Sequence, residues 1–199
     1  MMEQKKKAKI AVLVSGGGTN LQALIDAQGS GVLQSGEIRV VISANPRAYA
    51  LERAAKAGIE TLVLPRRGFE EALEASLLER GIDLIILAGF MLILSESFTS
   101  RWPRRILNVH PALIPSFCGQ GFYGLKVHEA ALERGVKVTG ATVHFVNEIP
   151  DGGEIILQKA VDVLPGDTPE ALQRRVMEQA EWILLPQAAE LVAKGVINA

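Results

Sequence analysis

The sequence predicts an α/β fold: a doubly wound, mostly parallel sheet with an antiparallel carboxyl-terminal extension. Three observations carry that prediction. Short runs that are apolar at every residue recur along the chain, as expected of strands covered on both faces. Segments with apolar residues at helical spacing lie between them, the alternation that builds a parallel sheet. Beyond residue 135 two long strand patterns follow one another across a short turn, which predicts a hairpin.

In chain order, Ile10–Val14 (IAVLV) reads as a strand buried on both faces. The glycine loop Ser15–Thr19 leads into a helix over Asn20–Ala27. Ile38–Ser43 is a second strand. A helix carrying Leu51, Ala54 and Ala55 at helical spacing runs to Gly58 as its cap. Glu60–Leu64 is a third strand, stopped by Pro65, and Phe69–Arg80 an amphipathic helix closed by Gly81. Ile82–Leu87 and Arg105–His110 are the fourth and fifth strands. Val136–Val146, interrupted at Gly140, and Glu154–Val163 form the hairpin around Pro150–Gly153. Thr168–Lys194 is a long helix with its expected break at Pro186.

The 199 residues suit one domain over 1–199, with 1–9 (MMEQKKKAK) as a loosely ordered basic tail. With 21 Lys+Arg against 22 Asp+Glu the formal net charge is −1, so the strongly basic signature of a nucleic-acid binder is missing. The single cysteine, Cys118, excludes an intramolecular disulfide and a Cys-rich zinc module. No apolar run approaches the ~20 residues of a membrane span, and Ile10–Val14 is too short for a signal-peptide core. The expected setting is the reducing cytoplasm, with small-molecule partners, no nucleic acid and no membrane.

Three places could carry chemistry. The first is Ser15-Gly16-Gly17-Gly18-Thr19-Asn20, between a buried strand and a helix. Glycines let backbone amides approach a ligand closely, and a helix start offers unpaired N–H groups and partial positive charge to an anion. A tight turn that only connects strand to helix is the alternative. The dinucleotide fingerprint fails, because Leu21 occupies its third glycine position and no acidic residue ends the second strand. No Lys-Ser/Thr follows to make a P-loop, so a phosphate monoester fits better.

The second place is Arg105–His110 before Pro111 (RILNVHP). A period of two puts Asn108 and His110 on one face, at the carboxyl end of a strand, where open α/β sheets bind ligands. A hydrogen-bonded core pair is the competing reading. The third is Asp151-Gly152-Gly153, by pattern a turn. It matters chemically only if the turn folds near His110, because a carboxylate raises an imidazole pKa and sets its tautomer. His128, in a helix over Val127–Glu133, reads as a surface residue. His144 is either a partner behind the site or a buried, bonded histidine. Cys118 lacks a His/Asp pair and is no nucleophile. Phe90 and Met91 read as core, or as one wall of a pocket for an aromatic ligand.

In order, SGGGTNLQALIDA, ALERAAKAGI, LAGFMLILS, ILNVHPALIPSF and HFVNEIPDGGEIILQ resemble the motifs of the folate-dependent phosphoribosylglycinamide formyltransferase (GAR transformylase) family. The resemblance runs from about Ile10 to Pro186. It implies a Rossmann-like formyltransferase fold. It also implies formyl transfer from 10-formyltetrahydrofolate, as co-substrate, to the primary amine of glycinamide ribonucleotide in purine biosynthesis, without a metal.

Carried over by motif, Asn108 would stabilise the oxyanion, His110 would polarise and shuttle the proton, and Asp151 would raise the His110 pKa. Gly17, Gly18, Thr19 and Asn20 would cradle the ribonucleotide phosphate, and Glu181 would hold the ribose. Met91, Leu92, Ile93 and Leu94, with Asn147, Glu148, Ile149 and Pro150, would form the folate pocket, with His144 behind the trio. Leu92 departs from the family's frequent arginine, and Pro115–Ala130 is longer than in many members.

Formyltetrahydrofolate deformylase and methionyl-tRNA formyltransferase share this chemistry. The first is expected to carry a regulatory domain ahead of the catalytic one, the second a tRNA surface and a further carboxyl-terminal domain. A non-catalytic phosphate-binding module would keep the glycine loop and leave Asn108, His110 and Asp151 structural. Convergence of that trio beside a cavity reaching Gly18 separates the readings.

Overall fold

The computed structural model describes residues 7–196. Residues 1–6 of the expected tail lie outside the described residues. Ala8 and Lys9 are not tail: they open the first strand, β1 (Ala8–Val14), because Ala8 N–H bonds the Ser35 carbonyl and Lys9 N–H the Asp83 carboxylate. There follow α1 (Thr19–Ser30), β2 (Gly36–Ser43), α2 (Tyr49–Lys56), β3 (Glu60–Val63), α3 (Phe69–Arg80), β4 (Leu84–Leu87), a short α4 (Glu96–Thr99) and β5 (Ile106–His110). The second half comprises α5 (Leu125–Arg134), β6 (Val138–Phe145), β7 (Ile155–Asp162), α6 (Pro169–Val176), a π-helical turn over Met177–Glu181 and α7 (Trp182–Val196).

The strands form one sheet in the order β3-β2-β1-β4-β5-β6-β7. Pairings through β5 are parallel, and β5–β6 and β6–β7 are antiparallel, as the change of pattern beyond residue 135 predicts. Helices cover both faces. Leu21 and Leu24 of α1, Ala50 and Ala54 of α2, and Leu185 and Ala189 of α7 pack on the side of Val12 and Val14. Leu73 and Leu77 of α3 and Phe98 of α4 pack on the side of Ala11 and Leu13. Burial on both faces is why β1 is apolar at nearly every position.

Strand order reverses between β1 and β4, since the chain first winds outward through β2 and β3 and then returns. The loops that leave the carboxyl ends of β1, β4 and β5 diverge there and open the crevice of a doubly wound sheet. Ile106 of β5 is buried beside Phe98 and Trp102, whereas Asn108 and His110, two and four residues further on the same face, line a cavity.

The long carboxyl-terminal helix is not interrupted at Pro186, which lies inside α7. The irregularity falls a turn earlier, at the π-helical Met177–Glu181. Proline has no N–H to donate and its ring crowds the carbonyl four residues back, Trp182, so the widened turn immediately precedes that carbonyl.

Candidate active site

The functional side chains are delivered by β5, β6 and the loop between β6 and β7. Asn108 and His110 project from β5, as the period of two requires. The register pairs Asn108 with His144 on β6. The connection from β6 to β7 folds back, so that one Asp151 oxygen lies 3.4 Å from His110 Nδ1 and the other 3.5 Å from His144 Nε2. Asp151 also accepts the Gly119 N–H at 2.9 Å. The trio named from sequence is therefore brought together, with His144 as its fourth member.

The two groups that hold the His110 ring both come from left-handed backbone. Phe117 (φ 49°) turns its carbonyl to Nε2 at 2.8 Å, and Asp151 (φ 55°) supplies the carboxylate. Such conformations cost on the order of 1–3 kcal/mol each and persist where the surroundings enforce them. Gly153 lets the loop pack against β6: a Cβ there would sit 1.7 Å from the Phe145 carbonyl oxygen. Gly153→Ala must therefore displace the loop. A loss of about 1–3 kcal/mol in urea denaturation is expected, as for other overpacked sites. Wild-type stability in that variant would contradict this packing.

A carbonyl only accepts, so His110 Nε2 carries a hydrogen and Nδ1 is the edge presented to Asp151. A proton on Nδ1 would satisfy both groups. The carboxylate does push the ring pKa up, as expected, yet burial outweighs it and the pKa lies below the ordinary histidine value. The expectation that Asp151 leaves His110 with a raised pKa is thus corrected: desolvation of the charged ring is the larger effect. The Asp151 carboxyl is itself pulled down. Burial opposes this, but the His144 ring, the Gly119 N–H and His110 together prevail.

His144 Nδ1 faces the Phe145 carbonyl at 2.8 Å and so carries hydrogen, and in that tautomer Nε2 accepts from Asn108 Nδ2 at 3.3 Å. One hydrogen of the Asn108 amide is thereby engaged. The other remains for a ligand.

Asn108, His110 and Asp151 line a cavity of about 660 Å³, together with Asn20, Met91, Leu92, Ile93, Pro150 and Glu181. Glu181 is buried on the π-helical turn and accepts from Asn20 Nδ2 at 2.8 Å. Burial drives its carboxyl up to about 7 against the opposing Asn20 bond. Because this pKa lies above the ordinary 4.5, the associated stability is present at pH 4 and lost as pH rises through about 7, an effect of about 3 kcal/mol. Glu181→Gln is accordingly expected to gain stability over wild type progressively between pH 5 and pH 8. A constant difference across that range in urea denaturation would exclude it.

Other expected residues lie elsewhere. Gly17 and Gly18 do not line this cavity, and Thr19 lines a neighbouring groove between α1 and α7. Gly18 starts α1 with φ 74°, and a Cβ on it would meet Ala50 Cβ at 2.6 Å, so the loop and α2 need a glycine there. Leu94 is buried in the core beside Phe98 rather than in the cavity. Asn147, Glu148 and Ile149 do not line the cavity either, although Pro150 and Asp151 do.

The reading of His128 as a surface residue is wrong. It is fully buried and lines the cavity, because α5 lays Val127, His128 and Ala131 inward. The segment Gly119–Gly124 was visible only as extra length, yet it lines the cavity, and Gly119 holds Asp151. Its run of glycines and aromatics (GQGFYG) was the available signal.

A polar trio at the switch point of a doubly wound sheet, pairing an amide donor with a carboxylate-backed imidazole, is equipped for transfer of an acyl-type group. The chain belongs to the formyl transferase family, whose sequence profile matches residues 8–188. It is 46% identical over 201 residues to the trifunctional purine biosynthetic protein adenosine-3 of Homo sapiens, covering 98% of this chain. The chain spans about a fifth (19%) of the length of that relative. It is 42% identical over 193 residues to phosphoribosylglycinamide formyltransferase of Haemophilus influenzae, covering 94% of this chain and 88% of that one.

Among solved structures it resembles glycinamide ribonucleotide transformylase 1 from Symbiobacterium toebii, with TM-score 0.89, 44% identity, and 98% and 92% of the two chains covered. A formyltetrahydrofolate deformylase from Burkholderia mallei also matches, with TM-score 0.83 and 28% identity over 96% of this chain and 66% of that one.

Proposed function

We propose that the protein transfers a formyl group from 10-formyltetrahydrofolate to the primary amine of glycinamide ribonucleotide, as a phosphoribosylglycinamide formyltransferase of purine biosynthesis. The observation that carries this reading is the convergence of Asn108, His110 and Asp151 in one cavity, which stops short of the expected Gly18 but reaches Asn20, Glu181 and Met91. The relatives named for this activity support it, at 42% and 44% identity over most of both chains.

The residues suit the two substrates. Met91 and Ile93 are 57% and 77% exposed beside the cavity, an apolar edge suited to a flat folate ring. Asn20, at the start of α1, and Glu181 offer an amide and a carboxyl for the ribonucleotide's hydroxyls, and the α1 start beside Asn20 suits its phosphate. Such remote contacts position the amine against the formyl carbon.

Attack by the amine places negative charge on the formyl oxygen, and the free N–H of Asn108 is directed to that charge. His110, whose pKa burial holds below the ordinary histidine value, takes the proton shed by the amine. Asp151 stabilises the resulting imidazolium, and the proton passes to the departing nitrogen. A reducing, cytoplasmic setting is in keeping with the single cysteine of this sequence.

The fold is shared with a deformylase, so the test must separate acceptors. Purified protein is mixed with 10-formyl folate, and release of deformylated folate is followed with and without glycinamide ribonucleotide. Turnover that requires the ribonucleotide is expected. Turnover without it would make water the acceptor and the protein a deformylase. Ribonucleotide binding without turnover would favour a binding module.

A further inference from the structure

His128 has no part in the chemistry described above, yet it is fully buried and faces the active-site cavity from α5. Neither of its ring nitrogens has a hydrogen-bond partner among the described residues. Buried polar groups are nearly always paired, and leaving one unpaired is costly, so an idle imidazole disfavours the free protein. A leucine or methionine would fill the same space without that cost. The position therefore makes sense if a ligand supplies the missing partners.

The chemistry of the ring narrows the ligand. Burial, with a smaller contribution from the nearby His110, pushes its pKa down to about 4, so it is a neutral imidazole at ordinary pH. It then offers one N–H donor and one lone pair, and no charge. A phosphate or carboxylate could accept its N–H but would leave the lone pair without a donor. A hydroxyl or an amide, each both donor and acceptor, matches it.

The position narrows it further. Helix α5 packs on α6, which continues into the turn bearing Glu181, and Gln173, Met177, Glu181 and Asn20 line the cavity from this side. The residues expected to face folate come instead from the loop after β4 and from Pro150. We propose that His128 binds the ribonucleotide substrate directly, exchanging hydrogen bonds with an uncharged amide or hydroxyl of that molecule. This rests on the formyl-transfer reading for the identity of the ribonucleotide.

Calorimetric titration of wild type, His128→Leu and His128→Asn with glycinamide ribonucleotide, ribose 5-phosphate and folate, alongside thermal melts, tests the assignment. His128→Leu should raise the Kd for the ribonucleotide about tenfold and leave folate binding unchanged. Its Tm should equal or exceed that of wild type, since two unpaired polar atoms are removed. His128→Asn, which keeps a donor and an acceptor, should recover part of the affinity. In wild type, saturation with ribonucleotide should shift the ring 15N resonances of His128. A penalty that persists with ribose 5-phosphate places the partner on the sugar, and one confined to the ribonucleotide places it on the amide. Either supports the proposal. An unchanged Kd, or a lowered Tm with equal losses for all ligands, would overturn it. A wild-type protein that binds no ribonucleotide would overturn both this inference and the functional reading. Normal turnover with tight binding in His128→Leu would overturn this one alone.

Discussion

Asp151→Asn is expected to lower kcat for formyl transfer by about 10²–10⁴-fold while leaving affinity for the ribonucleotide nearly unchanged. The carboxylate lies 3.4 Å from His110 Nδ1 and accepts the Gly119 N–H. An asparagine of the same shape keeps the loop in place through the Gly119 bond but removes the charge that stabilises a protonated His110. Affinity is spared on the proposed reading, in which the ribonucleotide is held at the start of α1 and by Glu181 on the π-helical turn rather than by Asp151. The sign of the accompanying pH effect is also determined. Asp151 raises the His110 pKa and burial lowers it, so deleting the charge leaves burial less opposed. The His110 ring must then titrate at lower pH than in wild type, which an NMR pH titration of its ring protons measures. An unmoved midpoint, or equal losses in kcat and ribonucleotide affinity, would remove Asp151 from the proton-holding pair.

Asn108→Ala is expected to lower kcat by about 10²–10³-fold, the usual effect of losing one oxyanion donor, corresponding to about 2.7–4 kcal/mol. The argument depends on counting hydrogens. His144 Nδ1–H bonds the Phe145 carbonyl, so Nε2 takes one Asn108 hydrogen and leaves the second for the formyl oxygen. The loss should fall on kcat rather than on KM for either substrate, because charge on that oxygen develops only in the transition state. Steady-state kinetics with both substrates varied decides it. A rise in KM at constant kcat would make Asn108 a binding residue only.

Much of this architecture follows from local pattern. The Phe69–Arg80 helix occupies the residues its apolar spacing predicts, between Gly68 and Gly81, both in the left-handed region. The parallel strands were legible because burial on two faces demands apolar residues throughout. The short α4 carried too few residues to show a period, although Ser95 caps it by accepting the Phe98 N–H. Within the site, Asn108 and His110 were readable as a pair because strand alternation is itself a local rule.

The remaining features are decided by contacts that no local rule reaches. Asp151 meets His110 across 41 residues because a loop folds back over the sheet, and sequence spacing does not encode that path. His144 meets Asn108 through the β5–β6 register. His128 looks like a surface residue on a single helix turn, but α5 packs on α6 and lays it inward toward the cavity. The same holds for proton affinity. An adjacent carboxylate predicts a raised His110 pKa, and a lone glutamate an ordinary one, but both are reset by desolvation, which depends on how much protein surrounds the group. The sequence by itself determined the strands, the helices and which side chains share a strand face, because those depend on residues a few positions apart. Only the tertiary structure decided which polar groups meet, and in what charge state, because both depend on chain paths and burial summed over the whole fold.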